Sequence, residues 1–245
     1  MSQVFLTTSW DDGYPADMRL AELLAKYNIG GTFYIPENNT EGRPVIQKNE
    51  LVELGKLFEI GGHTKDHKEL TQLRSEEAQS QISDGKKFLE DVLGHAVNGF
   101  CYPRGGYNSK IKSQVQSAGF VYGRTIKNLF CNYNSDSFEV PTTIQFYPHT
   151  KITYLKNYIK HGHYQKRIKL FLSVISEDDL EKKVAKIVKY CSKNGTYCHI
   201  WGHSWEIEEM DAWDKLEDLF NVITKQFSHL KFGSNMDLFR YSHGE

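Results

Sequence analysis

Short runs of β-branched and aromatic residues alternate with longer segments of helical periodicity along most of the chain. Residues 4–10 form such a run, which ends at Asp11-Asp12-Gly13. Residues 16–27 then carry apolar side chains at helical spacing, and 32–35 is a second strand-like run before Pro36. Alternation of this kind predicts a parallel sheet with crossover helices.

The alternation continues to the end of the chain with one interruption. We predict further strands near 58–62 and over 97–102, 120–125 and 196–201, and helices over 51–58, 75–93, 109–118, 178–191 and 214–227. Residues 128–176 show few clear periods. Without a repeat or a low-complexity linker, we expect one domain over 1–245, with an irregular, loop-rich insertion at about 128–176.

Composition narrows the class of protein. The chain has 245 residues, of which 39% are apolar and 25% charged, so it can bury a sizeable core and is neither disordered nor a coiled coil. The net charge of −1 lacks the basic excess of nucleic-acid binders, and we expect no nucleic-acid partner. A local basic patch remains at Lys166, Arg167 and Lys169.

The sequence also bears on location. No run of about 18 apolar residues is present, so we expect no transmembrane segment. The first residues lack a basic n-region followed by a long apolar stretch, and we expect no signal peptide and a cytoplasmic protein. The four cysteines form no C-x-x-C pair, which favours free thiols.

Three polar clusters follow predicted strands, and functional groups collect at the carboxyl ends of strands in α/β sheets and barrels. The clusters contain Asp11 with Asp12, His63 with His67, and His203. If a helix begins at His63, its spacing to His67 places both imidazoles on one face, which suits a divalent ion.

Each cluster also has an ordinary explanation. Asp11 and Asp12 could form an Asx turn or cap the next helix. The pair His63 and His67 could lie in a solvated loop, and His203 could pack between tryptophans. No P-loop, dinucleotide fingerprint or G-x-S-x-G elbow is present.

Taken in order, the motifs are more specific than any one alone. They are Ser9-Trp10-Asp11-Asp12-Gly13, His63-Thr64-Lys65-Asp66-His67, Phe100-Cys101-Tyr102-Pro103-Arg104-Gly105 and the late His203. This combination resembles the polysaccharide deacetylase family, the NodB-homology group or carbohydrate esterase family 4. The similarity covers roughly residues 4–125 and 180–206.

The resemblance implies a fold and a set of roles. The fold is an incomplete (β/α) barrel, often seven-stranded, with a flavodoxin-like open sheet as the alternative. Asp12, His63 and His67 correspond to metal ligands, Asp11 to the catalytic base and His203 to the general acid. The implied cofactor is one divalent metal, with zinc favoured and cobalt or nickel possible.

Further residues are implied around the substrate. Trp201 corresponds to an apolar residue of the acetyl-methyl pocket. Tyr102 and Arg104 belong to the third motif, in which the backbone N–H of Arg104 helps to hold the oxyanion.

Two departures from the family pattern stand out. Cys101 replaces the usual third-motif arginine, and we expect Arg124, at the next predicted strand end, to supply the missing charge. The fourth motif, an Asp and a Trp that support the acid, has no clear match. Asp211, Trp205 and Trp213 are candidates for it.

The resulting hypothesis is a metal-dependent hydrolase that removes an N-acetyl group from an amino sugar. The expected substrate is a cytoplasmic glycan, an oligosaccharide or a glycan precursor. A deformylase or another hydrolase of linear C–N amides, acting on a non-polysaccharide substrate, is the first alternative. An inactive carbohydrate-binding module is the second.

Overall fold

The computed structural model describes residues 4–133 and 136–244, and its strands lie in one sheet. They are β1 Phe5–Asp11, β2 Gly31–Ile35, β3 Glu59–Gly62, β4 Gly99–Cys101, β5 Tyr122–Arg124, β6 Ile144–Gln145, β7 Tyr197–Gly202 and β8 Lys231–Gly233. The order is β5-β4-β3-β2-β1-β7-β6, and β8 pairs with the start of β1. Every ladder is parallel.

Residues 140–145 reach both edges of this sheet. Val140 forms an isolated bridge to Arg124 on β5, while β6 pairs with β7 at the opposite edge. The sheet therefore curls into a half-barrel of seven parallel strands, and β8 is a short addition beside β1. This confirms the predicted incomplete barrel rather than the flavodoxin-like open sheet.

Helices surround the sheet and bury their apolar faces against it. They are α1 Asp17–Lys26, α2 Lys48–Leu57, α3 Ser75–Leu93, α4 Ser109–Ser117, α5 Lys151–Lys160, α6 Tyr164–Ile175, α7 Leu180–Asn194, α8 Ser204–Glu209, α9 Trp213–Gln226 and α10 Asn235–His243. Short 3₁₀ turns occur at Leu70–Gln72 and Pro103–Gly105. Fully buried Trp10, Phe33 and Phe100 lie in the core between sheet and helices.

The loop-rich insertion is the main correction to the sequence prediction. The helices α5 and α6 occupy most of 151–175, so the expectation of loops is wrong there. The side chain of Thr150 caps α5 by accepting a hydrogen bond from the Thr153 N–H. Buried Arg167 on α6 donates to the carbonyl oxygens of Asn128, Leu129 and Gly162, which ties the two helices to the loop before them.

Two simpler expectations can also be compared with the structure. None of the helices within the described ranges combines the length and the apolar character needed to cross a membrane. All four cysteines are buried and free, as their spacing predicted.

Candidate metal and catalytic site

The predicted site residues converge at the carboxyl ends of the strands. Asp11 ends β1 and Asp12 follows it, His63 follows β3, and His203 follows β7. The Oδ1 atom of Asp12 lies 3.5 Å from Nε2 of His63 and 3.1 Å from Nε2 of His67. The Nε2 atom of His203 lies 4.0 Å from Asp12 Oδ2. We call Asp11, Asp12, His63, His67 and His203 the strand-end site.

The two histidines do not share a helix face, which corrects the sequence prediction. Residues 63–67 form a loop in which Thr64 and His67 have left-handed backbone, with φ of 64° and 53°. The loop folds back so that the two imidazole centroids are 4.9 Å apart. Non-glycine residues in this region are uncommon, and such strain is often found at functional sites.

Helix α3 holds this loop in place. The carbonyl of Gln81 accepts from the Lys65 N–H, and the Gln81 side chain exchanges two hydrogen bonds with Asp66. Gly85 allows the close approach, because a Cβ there would lie 2.6 Å from the Thr64 carbonyl carbon. A glycine inside a helix is unfavourable by itself, so this one is explained by its packing against the loop.

The donor set fits a divalent metal. Asp12 Oδ1 is buried and receives no hydrogen bond from the described residues. Together with a nitrogen from each of His63 and His67 it forms a group whose ligand atoms lie within 4.8 Å of one another. Burial alone raises the pKa of Asp12, but the nearby imidazoles of His63, His67 and His203 outweigh it and hold the pKa well below its usual range. The carboxylate is therefore ionised.

The outer nitrogens of both imidazoles face oxygen atoms. His63 Nδ1 lies 2.8 Å from the Cys101 carbonyl oxygen, and His67 Nδ1 lies 3.0 Å from Glu41 Oε1. With the proton on Nδ1, each ring directs the lone pair of Nε2 towards Asp12. A hydrogen bond such as the one at His63 Nδ1 orients the histidine ligands of metal sites.

Asp11 has a different set of neighbours. The Nη2 atom of buried Arg124 donates to Asp11 Oδ1 at 2.5 Å and to Ser9 Oγ at 3.1 Å. The Cys101 thiol lies 3.6 Å from Asp11 Oδ2, and burial raises the pKa of this thiol well above its usual value. A protonated thiol is a poor metal ligand, so the second donor group, Asp11 with His63 and Cys101, is less suited to an ion.

His203 has a carboxylate partner that the sequence analysis missed. Its Nδ1 lies 2.8 Å from Glu206 Oε2, and Glu206 also accepts from Gln145, whose amide oxygen lies 2.7 Å from His149. Burial favours the neutral imidazole, but the hydrogen bond to Glu206 and the charge of Asp12 raise the pKa of His203 to about 9.

A positional signal for Glu206 was present in the sequence. His203 is the N-cap of α8 and Glu206 is its third helical residue, the position from which a glutamate side chain reaches back to the cap.

The three candidates for the fourth motif separate in space. Trp205 Nε1 donates to Asp12 Oδ2 at 2.9 Å, and its ring lies 5.1 Å from the His203 ring. Trp213 instead packs under Arg19, and Asp211 lies in the turn after α8. Of the three, Trp205 is the one that the structure brings to the strand-end site.

Trp201, Tyr102 and Arg104 were also predicted to lie around the substrate. The Trp201 ring lies 5.6 Å from the His203 ring, beside the site. Tyr102 is fully buried and its hydroxyl donates to the Phe138 carbonyl, so its side chain lies in the core and has no exposed surface. Arg104 has a left-handed backbone and an exposed side chain paired with Glu41 at 2.9 Å. Its role as an N–H donor stays a prediction.

Comparison with known proteins identifies relatives of about half of the chain. A sequence model described as polysaccharide deacetylase matches residues 2–123. The chain is 25% identical over 126 residues to a putative polysaccharide deacetylase, YxkH, of Bacillus subtilis, covering 51% of this chain and 45% of the relative. It is 29% identical over 117 residues to the peptidoglycan-N-acetylmuramic acid deacetylase PdaC of the same organism, covering 47% and 24%. The alignments thus span less than half of these relatives.

Solved structures extend the likeness of fold to the whole chain. The structure of PdaC from Bacillus subtilis, in a mutant form, matches with a TM-score of 0.61 at 17% identity, covering 99% of this chain and 93% of that one. A chitin deacetylase of Colletotrichum lindemuthianum has a TM-score of 0.61 at 14% identity, covering 97% and 89%. A pseudoenzyme of Bacillus anthracis, BA3943, has a TM-score of 0.58 at 13% identity, covering 96% and 65%. At these identities the likeness concerns the fold alone.

Proposed function

Because the chain belongs to the polysaccharide deacetylase family, we propose that it is a metal-dependent hydrolase that removes an N-acetyl group from an amino sugar. The observation that carries the proposal is the convergence of Asp12, His63 and His67 on one point, with Asp11 and His203 beside it. Amide hydrolysis needs an activated water, oxyanion stabilisation and a proton for the departing nitrogen. The strand-end site offers a group for each.

The metal ligands in this proposal are Asp12 Oδ1 and the Nε2 atoms of His63 and His67. A divalent cation held there would lower the pKa of a water molecule from about 15.7 towards 7 and would polarise the acetyl carbonyl. One carboxylate with two neutral imidazoles is a frequent catalytic zinc arrangement, so zinc is favoured, and cobalt or nickel is compatible with the same ligands.

Asp11 takes the proton of the attacking water in this scheme. The guanidinium of Arg124 holds one oxygen of the Asp11 carboxylate, while the donor to the other, among the described residues, is the weak thiol of Cys101. The carboxylate is therefore fixed in orientation yet retains an acceptor for the proton. The backbone N–H of Arg104 is the proposed protein donor to the oxyanion.

His203 gives its proton to the departing amine. A pKa of about 9 keeps the imidazole protonated at neutral pH, as a general acid requires. Trp201 lies next to this acid and is the proposed wall of the acetyl-methyl pocket. The exclusion of water by a tryptophan strengthens the charged hydrogen bonds around the reacting amide.

The proposed substrate is an N-acetylated amino sugar in a glycan, an oligosaccharide or a glycan precursor. The deacetylase names of the sequence relatives support this class of substrate. The same groups can hydrolyse a formamide, so the released acid has to be identified as acetate or formate. The cytoplasmic location stays a prediction, which fractionation of cells expressing the protein tests.

The test begins with metal binding. Protein stripped with a chelator is titrated with zinc in a calorimeter, beside a His63→Ala variant. We expect one-to-one binding that the variant loses. Acetate and formate are then measured after incubation with N-acetylated and N-formylated amino-sugar oligomers, with and without zinc.

A His203→Ala variant is the matched control for this experiment. It should bind zinc like the wild type, yet release acetate about 10²–10⁴-fold more slowly, the usual effect of a general acid. Zinc-independent turnover, or full activity of His203→Ala, would contradict the proposed mechanism. Well-folded protein that binds no zinc would contradict the function itself.

A further inference from the structure

The helices α5 and α6 form an antiparallel pair, here called the α5–α6 hairpin, that exposes apolar side chains. Six of the seven large apolar side chains that are exposed among the described residues lie on it: Ile152, Leu155, Ile159, Tyr164, Ile168 and Leu172. Their spacing puts three on one face of each helix. The two faces adjoin at the hairpin tip, where the Tyr164 hydroxyl donates to the Ile159 carbonyl. Clustered exposure of this kind marks an interaction surface.

The charged side chains of the segment that contains the hairpin are all positive. Between Glu139 and Glu177 the sequence has six lysines or arginines and no acidic residue, although the whole chain carries a net charge of −1. Lys151 pairs with Asp178 just outside the segment. Within the described ranges no carboxylate lies within salt-bridge distance of four exposed lysines, which are Lys156, Lys160, Lys166 and Lys169. The exposed apolar faces are therefore bordered by unpaired positive charge.

The opposite faces of both helices are packed, so the exposure belongs to a fixed structure. Tyr154, Leu170 and Val174 are buried, and Tyr158 stacks on Phe171 with ring centroids 4.5 Å apart. The hydrogen bonds of Arg167 to the neighbouring carbonyls, described above, anchor the hairpin tip. The exposed stripes thus lie on helices whose other faces are packed against the rest of the molecule.

From these observations we propose that the α5–α6 hairpin docks on an anionic lipid bilayer. Helices that lie in a membrane interface combine an apolar face with flanking lysines, and their binding rises with apolar area and with anionic lipid. Tyrosines such as Tyr164 are enriched at this depth. A second copy of the same surface is disfavoured, because unpaired lysines would face unpaired lysines.

The position of the hairpin relates the docked surface to the strand-end site. Lys160 and His161 at its tip line one surface groove together with Gly105 and Tyr107, which follow the third motif. Docking at the hairpin tip therefore brings the turn after the third motif close to the lipid headgroups. This consequence rests on the proposed function and favours a glycan attached to a lipid as the substrate, whereas the docking itself does not depend on catalysis.

Sedimentation with vesicles tests the docking. The probes are phosphatidylcholine vesicles, alone or with about one third anionic phosphatidylglycerol. An Ile152→Gln/Leu172→Gln variant removes apolar surface from both helices, and Leu57→Gln is its matched control, since Leu57 is exposed outside the hairpin. A Lys156→Glu/Lys169→Glu variant reverses charge, with Lys110→Glu/Lys225→Glu as control, both control lysines being exposed.

We expect the wild type and both controls to bind the anionic vesicles, with binding weakened by high salt. Each hairpin variant should bind about tenfold less or worse, with an unchanged circular dichroism melt. Binding that is absent, equal on neutral vesicles or retained by the hairpin variants would overturn the proposal. A wild-type dimer that becomes monomeric in the hairpin variants, without vesicle binding, would overturn it in favour of self-association. Zinc binding and acetate release in detergent-free solution report on the proposed function separately.

Discussion

The strand-end site and the α5–α6 hairpin place their side chains in opposite ways. The site buries charge: Asp11, Asp12 and Arg124 are almost completely inaccessible to solvent. The hairpin exposes apolar surface, as at Ile152 and Leu172, and leaves its lysines in water. Both regions depart from the ordinary rule of apolar residues inside and charged residues outside.

Each departure costs folding free energy and serves something other than the fold. Burying an ionised carboxylate is expensive even when it is paired, and an exposed isoleucine or leucine gives up its burial energy. The site concentrates charge where an ion and a substrate are expected, and the hairpin offers apolar surface to a partner. The site depends on buried charge and the hairpin on exposed apolar surface, so changes in one region should leave the other intact. The following predictions test that separation in decreasing order of effect.

Replacement of either of the adjacent carboxylates by an amide is expected to have the largest effect. Asp12→Asn should abolish zinc binding and lower kcat/KM by about 10³-fold or more, because the metal contributes several kcal/mol to the transition state. Asp11→Asn is the matched variant, which should lose turnover but keep zinc. Both should bind anionic vesicles like the wild type. Metal content, acetate release and vesicle sedimentation check this, and zinc retained by Asp12→Asn would remove it from the ligand set.

Replacement of Arg124 is expected to have the next largest effect. Arg124→Ala removes the hydrogen bond that fixes Asp11, and a bond to a charged group is worth about 1.5–3 kcal/mol. We expect kcat to fall about 10–10²-fold, with little change in zinc affinity. Unchanged turnover in Arg124→Ala would refute this role.

Moving the arginine from position 124 to position 101 tests whether Arg124 positions Asp11 or only stabilises the fold. Cys101 and Arg124 are direct partners in the β4–β5 ladder, and Cys101 occupies the position of the third-motif arginine. The double variant Arg124→Ala/Cys101→Arg should therefore recover part of kcat. Added guanidinium should also raise the kcat of Arg124→Ala. A purely structural role predicts neither recovery.

The pH dependence should show a smaller effect at Glu206. The folded pKa of His203 is raised to about 9, so the acid form is present below that pH and activity is lost as pH rises through it. A cation on Asp12 reduces the contribution of that carboxylate, so we expect the alkaline limb at or somewhat below pH 9. Glu206→Gln removes the carboxylate charge that supports the protonated imidazole and should move the limb to lower pH, with under tenfold loss of kcat at neutral pH. Rate–pH profiles of both proteins measure the shift, and an unmoved limb would contradict the assignment.

The first half of the molecule follows its sequence closely for a physical reason. Each crossover helix there buries one face and each strand is followed by a polar turn, so α3 begins and ends at the predicted residues 75 and 93. Asp11, Asp12 and His63 could be placed because parallel strands end at one edge. The left-handed loop that brings His67 to Asp12 could not, because it depends on contacts with Gln81, which is distant in sequence.

The two helices of the hairpin could not be predicted from the sequence, because each is apolar on two faces. On α6, Leu170 and Val174 face the core while Ile168 and Leu172 face solvent, so the pattern loses the single period that predicts an amphipathic helix. Glu206 was missed for another reason, since its function depends on its spacing from a cap residue rather than on a family motif.

The smallest expected effect is that of Leu172→Gln on stability. Its comparison with Leu170→Ala distinguishes the exposed face of α6 from the buried one. Leu172→Gln replaces an exposed side chain and should change the free energy of unfolding by at most about 0.5 kcal/mol. Leu170→Ala, two residues earlier, removes a buried side chain and should cost about 2–5 kcal/mol. Urea denaturation of the two variants measures both changes. A loss of 2 kcal/mol or more in Leu172→Gln would mean that this leucine contributes to the core. The exposed stripe would then belong to the fold, and the contrast between hairpin and strand-end site would fail.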